Sequence, residues 1–197
     1  MNVRIKSSYY FRSGVHLDNR YFIASYCVNL LMITKSKDTH RQNIALRRIA
    51  HMCDNEFDST VFINVDQTKQ IKAYQAAGMN VTTLPEDPVD QVIGIMLYHK
   101  LNAVAENAIH VHDVQISSDL GGDIVYCHNS NEISQPLSEP GWWHEPTTVH
   151  VHKLKNKEVI VDFASNWSSL GLDWEPRIAK PSTENKVVFG AFKRDES

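Results

Sequence analysis

Histidine is the commonest metal ligand among side chains and the one that titrates, unperturbed, near neutral pH. The chain carries it twice in one tripeptide, His110-Val111-His112 and His150-Val151-His152. Residues two apart on a β-strand project from one face. Each tripeptide therefore offers two imidazoles side by side, with valine turned to the opposite face.

The second copy sits in a segment whose pairing is readable from burial. With Lys155-Asn156-Lys157 as a three-residue loop, Leu154 faces Glu158 and His150 faces Asp162. Val149, Val151, Val159, Val161 and Phe163 then share the other face. A two-residue loop would set Asp162 across from Val151 and break that apolar surface, so burial selects the first register. Directly opposed residues have Cβ atoms about 5 Å apart, close enough to share a ligand. The pattern predicts a zinc-type centre with His150, His152 and Asp162 as ligands, joined by His110 and His112, with His128 and His144 as further candidates. Three nitrogen or oxygen ligands and an open fourth position let a bound water ionise near neutral pH, which suits hydrolysis. Glu145 and Asp113 are the candidate general bases. The more specific H-E-x-x-H and paired C-x-x-C signatures are absent. The expected activity is that of a metal-dependent hydrolase, its site between the two histidine strands and walled by the Trp142-Trp143 loop.

A plainer explanation stands beside this one. Histidine alternating with valine is also the ordinary solvent-facing half of a strand, and ten histidines place some pairs at this spacing by chance. The competing function is a non-catalytic binding or accessory protein. Its contact surface would be Trp142, Trp143 and His144 in a Pro-flanked loop, with Trp174, since exposed tryptophans anchor partners. The partner is then a protein or an unidentified small molecule.

Thiol chemistry supplies a third possibility. His150, Val161-Asp162 and Asn166-Trp167 resemble the His–Asp half of transglutaminase-like cysteine enzymes over residues 150–167. The resemblance implies a nucleophilic Cys at a helix N-terminus, where the dipole lowers its pKa. Cys27 lies in an apolar run and Cys127 beside His128 on an expected strand, and a small buried hydrophobe is the simpler role for all three cysteines.

Composition bounds the rest. A chain of 197 residues with 42% hydrophobic content is long enough for one full core. Twenty basic against 23 acidic residues argue against general nucleic-acid or anionic-membrane binding. Three cysteines without a C-x-x-C pair read as a reduced protein, and the apolar runs 27–33 and 92–97 are too short to span a bilayer. A cytoplasmic location is expected. Eight glycines without a Walker loop or G-x-G-x-x-G disfavour a nucleotide cradle. Arg41, Arg47 and Arg48 read as the polar sides of a helix.

These residues need a scaffold. Strands are expected near 3–11 and 21–34, punctuated by Ser13-Gly14 and Asp18-Asn19, with 26–32 readable equally as a buried helical turn. Lys35-Ser36-Lys37-Asp38 reads as a solvated loop, and an amphipathic helix follows from His40. A strand at 60–65 leads into a helix capped by Asp66 and ended by Gly78, and a strand follows at 80–84. Asp87 is the expected N-cap of the next helix, with Pro88 in its first position and Val89, Val92, Ile93, Met96, Leu97, Leu101 and Val104 as its apolar stripe. A third strand, 109–116, carries the first histidine pair. Strand, helix, strand, helix, strand is the grammar of an α/β unit. Beyond it lie an antiparallel strand at 123–128, the hairpin of 149–154 and 158–163, and an edge strand at 187–192. The expectation is a single-domain α/β protein with a mixed sheet: N-terminal strands over 1–35, a central βαβαβ unit over 40–116, and an antiparallel, loop-rich extension over 122–197.

Overall fold

The computed structural model describes residues 3–131, 137, 142 and 167–175 in full, and the backbone of 148–153 and 159–163. The fold is mixed α/β. Its strands are β1 (Arg4–Leu17), β2 (Arg20–Thr34), β3 (Thr60–Asn64), β4 (Asn80–Leu84), β5 (Ile109–Ser118), β6 (Tyr126–Asn129), β7 (Thr148–Lys153) and β8 (Val159–Phe163). Its helices are α1 (Thr39–His51), which runs on into a π-helical turn at Met52–Glu56, α2 (Thr68–Ala76) and α3 (Asp90–Ala105). The strands form one sheet in the order β6-β5-β2-β1-β3-β4-β7-β8.

The long β1–β2 hairpin is the spine. Asp18 and Asn19, both at positive φ, form the tight turn that matches the twist of antiparallel strands. The strand does not stop at Ser13-Gly14. Gly14 lies mid-strand under the Tyr21 ring, where an added Cβ would come within 2.6 Å of that side chain, so this glycine provides clearance, not a turn. β3 runs parallel to β1, and β4 parallel to β3, as the strand–helix–strand reading requires. The third strand of that unit lies elsewhere. α3 carries the chain back across the sheet, and β5 pairs antiparallel with β2.

α1 and α3 cover one face. Phe11, Tyr26, Val28, Leu30 and Met32 from the hairpin pack there against Ala45, Ile49, Val92, Ile93, Met96, Leu97 and Leu101. α2 lies on the other face, where Tyr74 meets His16 and Tyr21. Two helix starts differ from expectation. Asp87 does not cap α3; its carboxylate accepts a hydrogen bond from Asn64 Nδ2 at 3.0 Å, and the cap position passes to Val89. Asp66 does not cap α2 either, because its backbone N–H donates to Asn64 Oδ1 in a turn directly after β3, and Gln67 precedes the first helical residue. Asp38, read as loop, is the cap of α1, accepting from the His40 N–H at 2.8 Å. Among the described residues, no helix is long and apolar enough to cross a membrane. The expected strand at 187–192 lies outside the described residues.

Candidate histidine sites

β5 departs from regular pairing at its histidines. Leu31 pairs with Asp113 and Met32 with Val111, so His112 is the extra residue of a β-bulge. The insertion lets Val111 and Val114, three apart, both face the core. It also re-aims His112, as bulges do beside functional positions. The His112 Nδ1 lies 2.6 Å from the Ser130 hydroxyl, and the His110 and His112 rings are 6.3 Å apart.

This pair is part of a larger aromatic cluster. Tyr98 of α3 stands at its centre, with ring centroids 5.3 Å from His99, 6.4 Å from His110 and 4.6 Å from His128. Asn102, one helical turn on, holds the free edge of β5 as a strand would. Its side chain accepts from the Val111 N–H at 2.9 Å and donates to the Val111 carbonyl at 3.1 Å. Burial lowers the pKa of His110, with the charge of Lys35 and then His112 adding to the effect. Burial, followed by His128, lowers that of His99. Burial therefore favours the neutral form of His99 and His110. Among the described residues, no group of three or more His, Cys, Asp and Glu is arranged to hold a metal ion.

The second pair is on the far side of the sheet. β7 and β8 pair antiparallel with Val149 opposite Phe163, His150 opposite Asp162, Val151 opposite Val161 and His152 opposite Ile160. That is the register selected by burial. From β5 to β7 there are five strand spacings, about 24 Å along the sheet. Ligands to one ion must lie within a few ångströms of each other. The expectation that His110 and His112 join His150 and His152 around a single ion is therefore corrected within one chain.

The same separation removes Asp113 as a base for an ion on β7. Asp113 instead lines a cavity of about 250 Å³ with Lys6, Asn29 and Gln115, on the part of the sheet face away from α1 and α3. Its buried Oδ1 has no hydrogen-bond partner among the described residues. Glu145, Trp143 and His144 lie outside the described residues. Trp142 is half-buried against the core, 5.9 Å from the Lys100 ammonium.

Trp174 serves the interior of the chain. The buried Arg48 guanidinium lies 4.0 Å from the Trp174 ring and 4.9 Å from that of Trp167. Arg48 Nε donates to the Leu172 carbonyl at 2.8 Å and Nη1 to Glu106 at 2.9 Å. Trp174 Nε1 donates to the second Glu106 oxygen at 2.5 Å. Arg48, read as a solvent-facing residue of α1, thus clamps residues 167–175 onto α1 and the end of α3. Sequence inspection missed this hub, and likewise the meeting of His99 with His128, because both depend on contacts between distant segments.

The cysteines supply no nucleophile of the kind the transglutaminase resemblance implies. Cys27 is in β2 and Cys127 in β6. Cys53 is buried in the π turn, and burial followed by the charge of Asp54 pushes its thiol pKa strongly up. None stands at a helix N-terminus.

No family model matches the chain, and no curated protein matches it. Solved structures do. An uncharacterised protein of Wolinella succinogenes is 10% identical, with a TM-score of 0.47, over 66% of this chain and 99% of that one. A catalytic-residue mutant of 6-pyruvoyltetrahydropterin synthase from Plasmodium vivax is 9% identical, with a TM-score of 0.38, over 66% of this chain and 98% of that one. The Plasmodium falciparum 6-pyruvoyl tetrahydropterin synthase is 12% identical, with a TM-score of 0.39, over 65% of this chain and 96% of that one.

Proposed function

We propose that this chain is a metal-dependent hydrolase of the zinc type whose ion sits on the β7–β8 hairpin, held by His150, His152 and Asp162. The backbone pairing of His150 with Asp162 supports the reading, because in that register an acidic residue stands across the strand from the first histidine of the pair. Two imidazoles and a carboxylate leave a fourth position for water, which a zinc ion acidifies toward neutral pH. Glu145, a few residues before β7, is the base candidate left once Asp113 is removed by distance. The β5 cluster is then a separate, metal-free group.

Untagged protein, reconstituted with zinc and dialysed, is the material for the test. Elemental analysis is expected to find close to one equivalent per chain and, with it, hydrolysis of an activated p-nitrophenyl ester. His150→Ala removes both, and His110→Ala removes neither. Wild-type protein that retains no metal would overturn the assignment, as would a His150→Ala protein that stays fully loaded.

A further inference from the structure

A cavity of about 350 Å³ opens where the turn end of the β1–β2 hairpin meets the start of α3. That volume is at the small end for ligand pockets. Phe22, Tyr26 and Tyr126 contribute three aromatic rings to its lining, and Asp90 contributes a carboxylate. Among the described residues lining it there is no Lys or Arg.

Two of these groups are incompletely used. Tyr26 is 2% exposed, and its hydroxyl makes no hydrogen bond to a described residue. Tyr26 lines the cavity, where a ligand N–H can reach its hydroxyl. Asp90 accepts one hydrogen bond, from the Ser118 hydroxyl to Oδ2 at 2.7 Å, which leaves Oδ1 for something else. Gly121 crowds the same carboxylate, since a Cβ there would lie 2.6 Å from Oδ2. The backbone is thus shaped around Asp90.

The charge sign follows from position. A helix N-terminus attracts anions, but in α3 that place is already taken by Asp90 in the first turn. A second anion would meet a full negative charge. A cation would meet the Asp90 carboxylate in a lining otherwise made of aromatic and aliphatic side chains, a combination suited to organic ammonium ions.

We propose that this cavity binds a small organic ammonium ion with an apolar body, its N–H groups donating to Asp90 Oδ1 and to the Tyr26 hydroxyl oxygen. The site is independent of the hairpin histidines and of any metal.

Titration calorimetry with phenethylammonium tests it, with phenylethanol and phenylacetate as the neutral and anionic probes of the same shape. The ammonium is expected to bind with a Kd of about 1 mM or tighter, and both controls about tenfold weaker or worse. Asp90→Asn lowers ammonium affinity about tenfold while leaving phenylethanol unchanged. Leu120→Trp, at a half-exposed position on the cavity wall, fills the space without touching the core and abolishes binding. Three results overturn the proposal: an alcohol that binds as tightly as the amine, ammonium binding that survives Leu120→Trp, or no saturable binding of the amine.

Discussion

His110-Val111-His112 and His150-Val151-His152 are the same three residues in two different surroundings. On β5 the residue paired with His110 is the aliphatic Ile33, and His112 is thrown out of register by a bulge. The Tyr98 ring of α3 stands 6.4 Å from that of His110, Asn102 holds the Val111 backbone between the two histidines, and burial lowers the pKa of His110. On β7 the residue across from His150 is Asp162. On the proposed reading, Asp162 across the strand completes a ligand set with the two imidazoles of β7, whereas on β5 the partner is an isoleucine and burial disfavours the charged form of His110. The chemistry of a strand tripeptide is set by what lies across from it.

Metal content should separate the two copies by the widest margin. If Asp162 is the ligand proposed above, Asp162→Ala removes it outright, a larger change than the roughly 10–100-fold cost of losing an outer-shell partner. The variant is expected to lose its zinc on dialysis. The double variant His110→Ala/His112→Ala is expected to keep it, and equal metal loss from both proteins would erase the distinction drawn here.

Stability should separate them next. Arg48 holds residues 167–175 against the helix layer that covers β5, through two backbone carbonyls, Glu106 and two tryptophan rings. Removing one partner of a buried ion pair costs about 3–5 kcal/mol, and the lower end applies here because Glu106 stays half exposed. Arg48→Ala should therefore shift the urea midpoint strongly while leaving unchanged any metal bound at the proposed hairpin site. Asn102→Leu follows with a smaller loss, about 1–3 kcal/mol, since it strands the N–H and C=O of Val111 at the edge of β5. A change in Asn102→Leu below a few tenths of a kcal/mol would mean that water replaces the amide there, and that α3 does not seal this edge.

How much of this the sequence disclosed depended on range. The β7–β8 register was legible because the apolar alternation of Val149, Val151, Val159, Val161 and Phe163 admits one pairing. Asp18-Asn19 as a turn and β4 at 80–84 were legible for similarly local reasons. The neighbours of β5 were not. α3 has the clearest apolar stripe in the chain, yet nothing in it says that the following strand crosses to β2 instead of lying beside β4. That crossover is what parts the two histidine pairs. The bulge at His112 carries no glycine to mark it, and becomes visible only when Val111 and Val114 are both found in the core. Arg48 looked like one solvent-facing arginine of three, because the tryptophans that cover it arrive more than a hundred residues later.

The smallest expected difference between the regions is in their response to pH. His99 and His110 both have folded pKa values below the ordinary 6.5, through burial first, then His128 for the one and Lys35 and His112 for the other. Below that value the unfolded chain takes up protons that the native cluster resists, so stability falls as pH drops beneath about 6.5 and is whole above it. Urea midpoints measured from about pH 7.5 down to about pH 5.5 should show that slope in the wild type. The slope should flatten in His99→Gln/His110→Gln. It should persist, in metal-free protein, in His150→Gln/His152→Gln. A slope that instead disappears with the hairpin substitutions would place the buried, proton-resisting imidazoles on β7 and reverse the roles assigned to the two copies.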